Sequence, residues 1–322
     1  MRFVSIPDNG SSWRGRLPYR FATESAEAED VMVEILDAPS GELLGAMRLY
    51  GVAEAEVDIA SYLRPSLSLM PVETTRSIEL VSSPSAITVV VRANGVDSEP
   101  RTFFRSKFDP TAVGPLSNHA ITQELMLGET LRLTIYAQNE ISVTANIKGV
   151  KSATLRGMGV TNGKPMELVI PTSNLADAES IMVSLRLDGK ISVQYNYVVV
   201  PNLGGVRRLV WYNSLGGVES YLFDHSKRLG YSVKRTDVHL CMESAKSVEG
   251  YLRYRLCSGY ESQTDMERVV RLLLSPMVFA EVGGRCRRVE VDSRDIAFDG
   301  RGMMHTIMLD VSEKWEEGGA LW

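Results

Sequence analysis

The sequence predicts a mainly β protein, with two tandem immunoglobulin-like β-sandwich domains followed by an α+β domain that contains one main helix. Three observations support this class. Apolar and polar residues alternate with period two through most of the chain, as they do in half-buried strands. Turn dipeptides such as Asn94-Gly95 and Asp188-Gly189 separate the alternating runs. Only the segment 264–275 repeats its apolar residues convincingly at the three-four spacing of a helix.

The first predicted domain spans residues 1–107. Its clearest pattern is a hairpin, in which VMVEILD at 31–37 and ELLGAMRLY at 42–50 are joined by a turn that contains Pro, Ser and Gly. Further strand-like runs follow as far as RTFFRS. Because each sheet would have one apolar face that a second sheet has to cover, these runs predict a β-sandwich.

The second predicted domain spans residues 108–203. The segment KFDPTAVGPLSNHA at 107–120 contains two prolines and little periodicity, which indicates a crossing between domains. A new series of alternating runs begins with ETLRLTIYA and ends with SIMVSLRLDGKISVQYNYVVV. This series fits a second immunoglobulin-like sandwich of about 90 residues.

The third predicted domain spans residues 204–322 and combines hairpins, the helix 264–275 and C-terminal strands. Thr264 is the predicted N-cap of the helix, with Asp265 and Glu267 in its first turn. The dipeptide Ser275-Pro276 ends the helix, because proline cannot continue it.

The most distinctive run is RRLVWYNSLGGVESYLFD at 207–224. Alternation places Leu209 and Trp211 on one face of a strand and Tyr212 on the other. The chain has to reverse at 213–217, where Asn213 tolerates a left-handed conformation and two glycines adopt it freely. The run therefore predicts a structural hairpin with cross-strand aromatic contacts. An exposed aromatic contact surface is the alternative.

Composition excludes several classes of function. The chain has 322 residues, 44% of them hydrophobic and 23% charged, with a formal net charge of −5. Such a chain is expected to fold, and it offers no electrostatic reason to bind nucleic acid. No secretory signal is visible, and no run approaches the ~20 apolar residues of a membrane-spanning helix, so we expect no membrane insertion. Three cysteines, Cys241, Cys257 and Cys286, argue against a disulfide scaffold.

Motifs that carry reaction chemistry were not found. The sequence contains no GxSxG, HExxH or P-loop pattern, and its four histidines are scattered. Asp292, Asp295 and Asp299 are the best candidates for cation ligands, but their spacing departs from that of an EF-hand, and a turn between strands is the favoured interpretation. A buried thiol is likewise favoured over a nucleophile at Cys257. We therefore predict no catalytic, metal-binding or cofactor-binding residue, no cofactor, and no enzymatic activity.

Several motifs resemble those of virion-type proteins of Bacteroidetes phages and prophages. The pattern W-x-N-x-x-G-G-x-x-x-Y-x-F matches residues 211–223, and LLLSPMVFAEVGGRCRRVEVDS matches a helix that ends in Leu-Leu-x-Ser-Pro before a hairpin. The segment MMHTIMLDVSEKW is similar to a final strand, and the hairpin before DIASYL at 58–63 is similar to an opening β-domain. The resemblance spans about two-thirds of the chain. It implies a virion protein and carries over no catalytic residue.

The predicted function is therefore that of a non-enzymatic structural component of a phage or phage-derived particle, most plausibly of its tail or baseplate, assembled in the bacterial cytoplasm. Its expected partners are copies of itself and other virion or tail proteins, and contact with a host surface stays open. One alternative is a multi-domain surface or carbohydrate-binding protein with Trp13, Trp211 and Tyr212 as stacking platforms. A further alternative is an enzyme with its site between the second and third domains. The candidate interface residues are Trp211, Tyr212, Tyr221, Phe223, Trp315 and Trp322.

Overall fold

The computed structural model describes residues 1–24, 27–63, 70–74, 76–105, 113–118, 120–150, 152–161, 163–175, 178–201, 205, 207–240, 243–293 and 296–314. These residues form a mainly β structure with several sheets and one main helix, which confirms the predicted fold class. Half of the predicted crossing at 107–120 lies outside the described residues, including His119, and so does Cys241.

The N-terminal sandwich consists of two facing sheets, in the strand orders β1-β2-β5 and β4-β3-β7-β8, with β9 also paired to β7. Its core contains Trp13, Tyr19 and Phe103. The predicted hairpin is confirmed as the antiparallel pair β3–β4. The elements of this region are β1 (Arg2–Ser5), β2 (Pro18–Ala22), β3 (Glu29–Asp37), β4 (Leu43–Val52), β5 (Glu54–Asp58), α1 (Ala60–Leu63), β6 (Glu79–Ser82), β7 (Ala86–Ala93), β8 (Val96–Asp97) and β9 (Arg101–Phe104).

The second sandwich packs the sheet β10-β12-β15-β6 against the sheet β11-β17-β16-β13-β14. Strand β6 precedes the predicted boundary at residue 107, yet it pairs with β15 in the second sandwich. The sheets therefore do not divide where the sequence predicts. The other elements are β10 (Gly114–Pro115), β11 (Thr122–Met126), β12 (Thr130–Tyr136), β13 (Glu140–Gly149), β14 (Ala153–Val160), β15 (Met166–Pro171), a 3-10 turn (Thr172–Asn174), β16 (Ala178–Leu187) and β17 (Lys190–Val200).

The C-terminal region contains a seven-stranded sheet in the order β19-β18-β23-β24-β27-β21-β20 and a small sheet β22-β26-β25. The main helix packs on one face of the larger sheet. The elements are β18 (Arg207–Tyr212), β19 (Val218–Phe223), β20 (His225–Leu240), β21 (Glu243–Cys257), β22 (Glu261–Ser262), α2 (Gln263–Val270), a 3-10 helix (Arg271–Leu274), β23 (Val278–Val282), β24 (Arg285–Val291), β25 (Asp299–Arg301), β26 (Met304–Thr306) and β27 (Met308–Lys314).

The main helix starts earlier and ends earlier than predicted. Ser262, not Thr264, is its N-cap, because the Ser262 hydroxyl accepts a hydrogen bond from the Asp265 main-chain N–H at 3.2 Å. The α-helix ends at Val270 and continues as a 3-10 turn, in which three residues complete a turn. That change of period turns Leu274 to solvent, whereas Leu272 stays buried. No helix among the described residues is long and apolar enough to cross a membrane.

Strands β20 and β21 form a long hairpin that extends beyond the sheet. Strand β21 pairs with β27 only from Tyr251 to Cys257. From Val233↔Gly250 outward to Leu240↔Glu243 the two strands pair with each other, and no third strand joins them among the described residues. We call this part, residues 233–240 and 243–250, the hairpin arm. At ~3.3 Å per residue it is about 25 Å long.

Candidate functional site: the junction between the second sandwich and the C-terminal sheet

The junction begins with two strands that are buried on both faces. Every residue of β12 and of β15 is buried. Alternation directs Leu131, Leu133 and Ile135 into the sandwich core, so Arg132 and Thr134 point to the opposite face. The C-terminal sheet covers that face, since the Thr134 hydroxyl accepts a hydrogen bond from the Val218 main-chain N–H at 2.8 Å.

Two buried ion pairs join the two halves of the junction. Arg208 donates from Nε to Glu129 Oε2 at 2.6 Å, and the two side chains are 2% and 1% exposed. Arg132 Nη1 lies 2.9 Å from Glu281 Oε2. Glu281 Oε1 also accepts from the Thr130 main-chain N–H at 2.8 Å. Each charge therefore meets its counterpart from the other half of the junction.

Glu167 is the most deeply buried carboxyl group of this junction. It accepts hydrogen bonds from the Ser83 hydroxyl at 3.2 Å and from the Tyr212 hydroxyl at 3.3 Å. Burial raises the pKa of Glu167 to about 7, although these hydrogen bonds and the Arg132 charge oppose the rise. In the part of the chain that the structure describes, the other carboxyl oxygen has no hydrogen-bond partner of normal geometry.

The predicted reversal at 213–217 closes the β18–β19 hairpin, as the Asn213 main-chain N–H donates a hydrogen bond to the Gly217 carbonyl at 2.8 Å. Gly216 has a φ of 82°, whereas Asn213 is not among the residues with positive φ. Asn213 instead acts through its side chain, which accepts from the Gly217 N–H and donates to the Leu116 carbonyl across the junction. Gly217 is needed for space, since a Cβ there would lie 2.4 Å from the Leu116 oxygen.

The two faces of β18 are correctly predicted, but its aromatic side chains are not exposed. Trp211 packs in the core beneath the main helix, and Tyr212 packs in a second cluster with Phe279. Phe223 is also fully buried. The predicted aromatic contact surface is therefore wrong for Trp211, Tyr212 and Phe223, because these side chains stabilise this chain's own fold.

The predicted cross-strand aromatic pairing differs as well. Trp211 lies opposite Glu219, and Tyr221 lies opposite Leu209. Tyr221 contacts Phe223 on its own strand, with the rings edge to face and 5.0 Å between centroids. Tyr221 is half-buried, and Trp315 and Trp322 lie outside the described residues.

The three aromatic residues considered as stacking platforms of a carbohydrate-binding protein are also buried. Trp13 is buried in the N-terminal core, and Trp211 and Tyr212 are buried at the junction. A sugar ring stacks only on an accessible aromatic face, so none of the three can serve in this structure.

A cleft of about 370 Å³ opens where β11 faces β19. Its volume lies within the usual range of ligand pockets. Main helix residues Asp265, Arg268 and Val269 form one wall, and Trp211 lies among the lining residues. Acidic residues outnumber the two arginines in its lining: Glu124, Glu219, Asp224, Glu261 and Asp265.

The charges of the cleft do not balance. Its two cations are already engaged, Arg208 with Glu129 and Arg268 with Asp265 at 3.0 Å. Burial raises the pKa of Glu261. The Tyr221 hydroxyl opposes this rise, because it donates a hydrogen bond to the Glu261 carboxylate at 3.2 Å. Neighbouring acids, including Asp265, raise the pKa of Glu261 further. The cleft is therefore an electronegative site with one carboxyl that holds its proton more firmly than usual.

The sequence offered little indication of this site. Glu124, Glu219 and Glu261 come from segments far apart along the chain, and none belongs to a recognisable motif. Of the candidate interface residues, the structure brings Trp211 and Tyr221 to the cleft. The raised pKa of Glu261 and the lining of the cleft both depend on how the sheet that contains β11 packs beside the seven-stranded sheet, which no local sequence pattern specifies.

The aspartates of the predicted turn are separate from this cleft. Asp292 accepts a hydrogen bond from the Ser312 hydroxyl at 3.1 Å and lies 3.5 Å from Arg253 Nε. Asp299 begins β25, and Asp295 lies outside the described residues. Across the described ranges, no group of three or more His, Cys, Asp or Glu residues could hold a metal ion.

Comparison with known proteins adds no identification. No protein-family model and no curated protein matches the sequence. A structure of trypsin-activated alpha-2-macroglobulin from Escherichia coli aligns with 97% of this chain at 8% identity and a TM-score of 0.22, and the chain spans 20% of that structure. This similarity is too low to carry an argument about function.

Proposed function

We propose that the protein is a non-enzymatic structural component of a phage or phage-derived particle, in a tail or baseplate, acting through contacts with copies of itself and with companion proteins. The hairpin arm is the observation that carries the proposal. An isolated two-stranded hairpin is at best marginally stable in water. The arm therefore gains stability when a neighbouring molecule packs on it or pairs with it.

The base of the arm has the apolar surface that such a contact needs. Tyr231 and Val233 lie on the same face of β20 and are 61% and 54% exposed. Strand β20 is also the edge of the seven-stranded sheet, so its outer main-chain groups face away from the sheet. Exposed edges of this kind pair readily with other chains.

The junction supports the same proposal from another direction. Its ion pairs and the side-chain hydrogen bonds of Asn213 tie the second sandwich to the C-terminal sheet. A rigid connection of this kind suits a subunit that has to hold its arm in a fixed direction within an assembly.

Light scattering after size-exclusion chromatography tests the proposal. The full chain should associate as its concentration rises, and Y231S/V233T should shift it towards monomer. Replacement of 236–247 by Asn-Gly, which joins the paired Arg235 and Val248, should have the same effect. M158S/V160T removes comparably exposed apolar groups from β14 and serves as the matched control. A chain that stays monomeric at all concentrations, or a control that reduces association equally, would contradict the proposal.

The acid-lined cleft favours a second candidate, a hydrolase with its site between the second sandwich and the C-terminal sheet. In this candidate Glu261 is the proton donor, because its pKa is raised, and Asp224 is the nearby carboxylate. Hydrolysis of a panel of aryl glycosides by the full chain, abolished in E261Q, would establish it. No turnover by the full chain would remove it.

A further inference from the structure

Two sheet edges meet at the cleft. Strand β11 is the edge of its sheet and pairs with β17, whereas β19 is the edge of the seven-stranded sheet and pairs with β18. An edge strand presents main-chain donors and acceptors to whatever lies beside it. Along a strand, the main-chain N–H and C=O groups of successive residues point alternately to the two sides. The hydrogen bonds that an edge strand makes to its paired strand therefore show which residues point the other way, towards the cleft.

On β19, the Asn213–Gly217 main-chain bond sets which residues face β18. Alternation then directs the main-chain groups of Ser220 and Leu222 outward. Val218 lies two residues before Ser220, so its main-chain groups point the same way. They do face away from β18, since the Val218 N–H donates to the Thr134 hydroxyl and the Val218 carbonyl accepts from the Ser117 hydroxyl of the second sandwich.

On β11, two main-chain hydrogen bonds show which residues face β17. The Asn196 N–H donates to the Ile121 carbonyl, and the Leu127 N–H donates to the Val200 carbonyl, so Ile121 and Leu127 face β17. The main-chain groups of Thr122 and Glu124 therefore face the cleft. The Glu124 carbonyl confirms this, since it accepts from Arg208 Nη2 at 2.6 Å. Thr122 thus forms the far wall, opposite the outward groups of β19.

A buried donor also lines the cleft. Trp211 is 2% exposed, and its indole Nε1–H has no hydrogen-bond partner among the described residues. A buried donor without a partner is less stable than a satisfied one, because it has lost its hydrogen bonds to water. Because Trp211 is among the lining residues, its indole can report on what enters the cleft.

We propose that the cleft binds an extended segment of a partner protein that carries a lysine or arginine. The segment adds to the β19 edge through the main-chain groups of Ser220 and Leu222, and its cation enters the cleft beside Glu261 and Asp224. Unbalanced acidic charge selects a cation, and the outward edge selects an extended backbone. The inference rests on the proposed function only in that the segment belongs to a neighbouring protein.

Fluorine NMR of the full chain labelled with 5-fluorotryptophan tests this inference, with W211F to assign the Trp211 signal. The probe is the acetylated and amidated peptide Thr-Lys-Thr-Lys-Thr. It should shift the Trp211 resonance saturably, and E261Q and D224N should each weaken binding at least tenfold. E54Q, which removes an exposed acid from β5, should leave the affinity unchanged.

Two further probes separate the parts of the inference. The peptide Thr-Glu-Thr-Glu-Thr should not bind, and an N-methylated lysine peptide, which lacks strand donors, should bind at least tenfold more weakly. No saturable shift with the lysine peptide, or equal binding of cadaverine, would overturn the inference. Light scattering tests the proposed association through the hairpin arm, whereas peptide binding tests the cleft. Arm variants should lose self-association and still bind the lysine peptide, so the two hypotheses can fail independently.

Discussion

Arg208 of the C-terminal sheet and Glu129 of the second sandwich form a buried ion pair with 2.6 Å between Nε and Oε2. Burial raises the pKa of Glu129, and the Arg208 charge opposes the rise. The two side chains are only 2% and 1% exposed, so the loss of one partner leaves the other charge buried without its counterpart. The loss of stability when one partner is removed therefore measures how strongly this pair holds the second sandwich against the C-terminal sheet.

R208M should destabilise the protein by about 3–5 kcal/mol, because it leaves the Glu129 carboxylate buried without its cation. The double variant R208M/E129Q should recover part of that loss. Urea unfolding followed by tryptophan fluorescence measures both effects. R20M is the matched control, since Arg20 Nε lies 2.7 Å from Glu56 Oε2 but is 63% exposed. A comparable loss in R20M would show that burial is not the cause.

Glu167 should make the protein more stable in mildly acidic solution. Its pKa is about 7 in the folded state against 4.5 for the free side chain, so the folded state binds the extra proton between these values. The stabilisation is complete below about 4.5 and is lost as the pH rises through about 7, a change of up to about 3 kcal/mol. Urea midpoints between pH 5 and pH 8 measure it.

E167Q should flatten this part of the pH profile while keeping an acceptor for the Ser83 and Tyr212 hydroxyls. An unchanged slope in E167Q would assign the pH dependence to other groups.

G217A should lower the melting temperature, because its Cβ would lie 2.4 Å from the Leu116 main-chain oxygen and neither backbone can move freely. Overpacking of this kind costs about 1–3 kcal/mol. G114A is the control at the same junction, since a Cβ there meets nothing within 4 Å. Calorimetry of the two variants should separate them. Equal melting temperatures would mean that the β18–β19 turn does not press against the sandwich.

S262A should cost about 1 kcal/mol by removing the N-cap of the main helix. T264A, two residues further on, should be neutral, because Thr264 lies inside the helix. Thermal unfolding followed by circular dichroism distinguishes the two variants. A larger effect from T264A would restore Thr264 as the cap.

The sequence was sufficient to predict features that depend on neighbours along the chain. Alternation located most strands and both faces of β18, and Asn94 and Asp188 do have positive φ at their turns. Features that depend on distant residues were missed. Glu129 and Arg208 are separated by 79 positions, and Ser83 and Glu167 by 84, so no local pattern relates them. Periodicity predicts the hairpin at 207–224, but it cannot distinguish an interface from an interior, so it does not decide whether the aromatic residues at 211–223 face a partner or the core.

Strand β6 has a consequence for how this chain can be divided. Its neighbours β5 and β7 belong to the N-terminal sandwich, yet β6 itself completes a sheet of the second sandwich. The polypeptide thus crosses from one sandwich to the other, returns, and crosses again. A cut at residue 107 would leave every strand of the N-terminal sandwich together, but it would remove β6 from β15 and so leave the second sandwich without one of its edge strands.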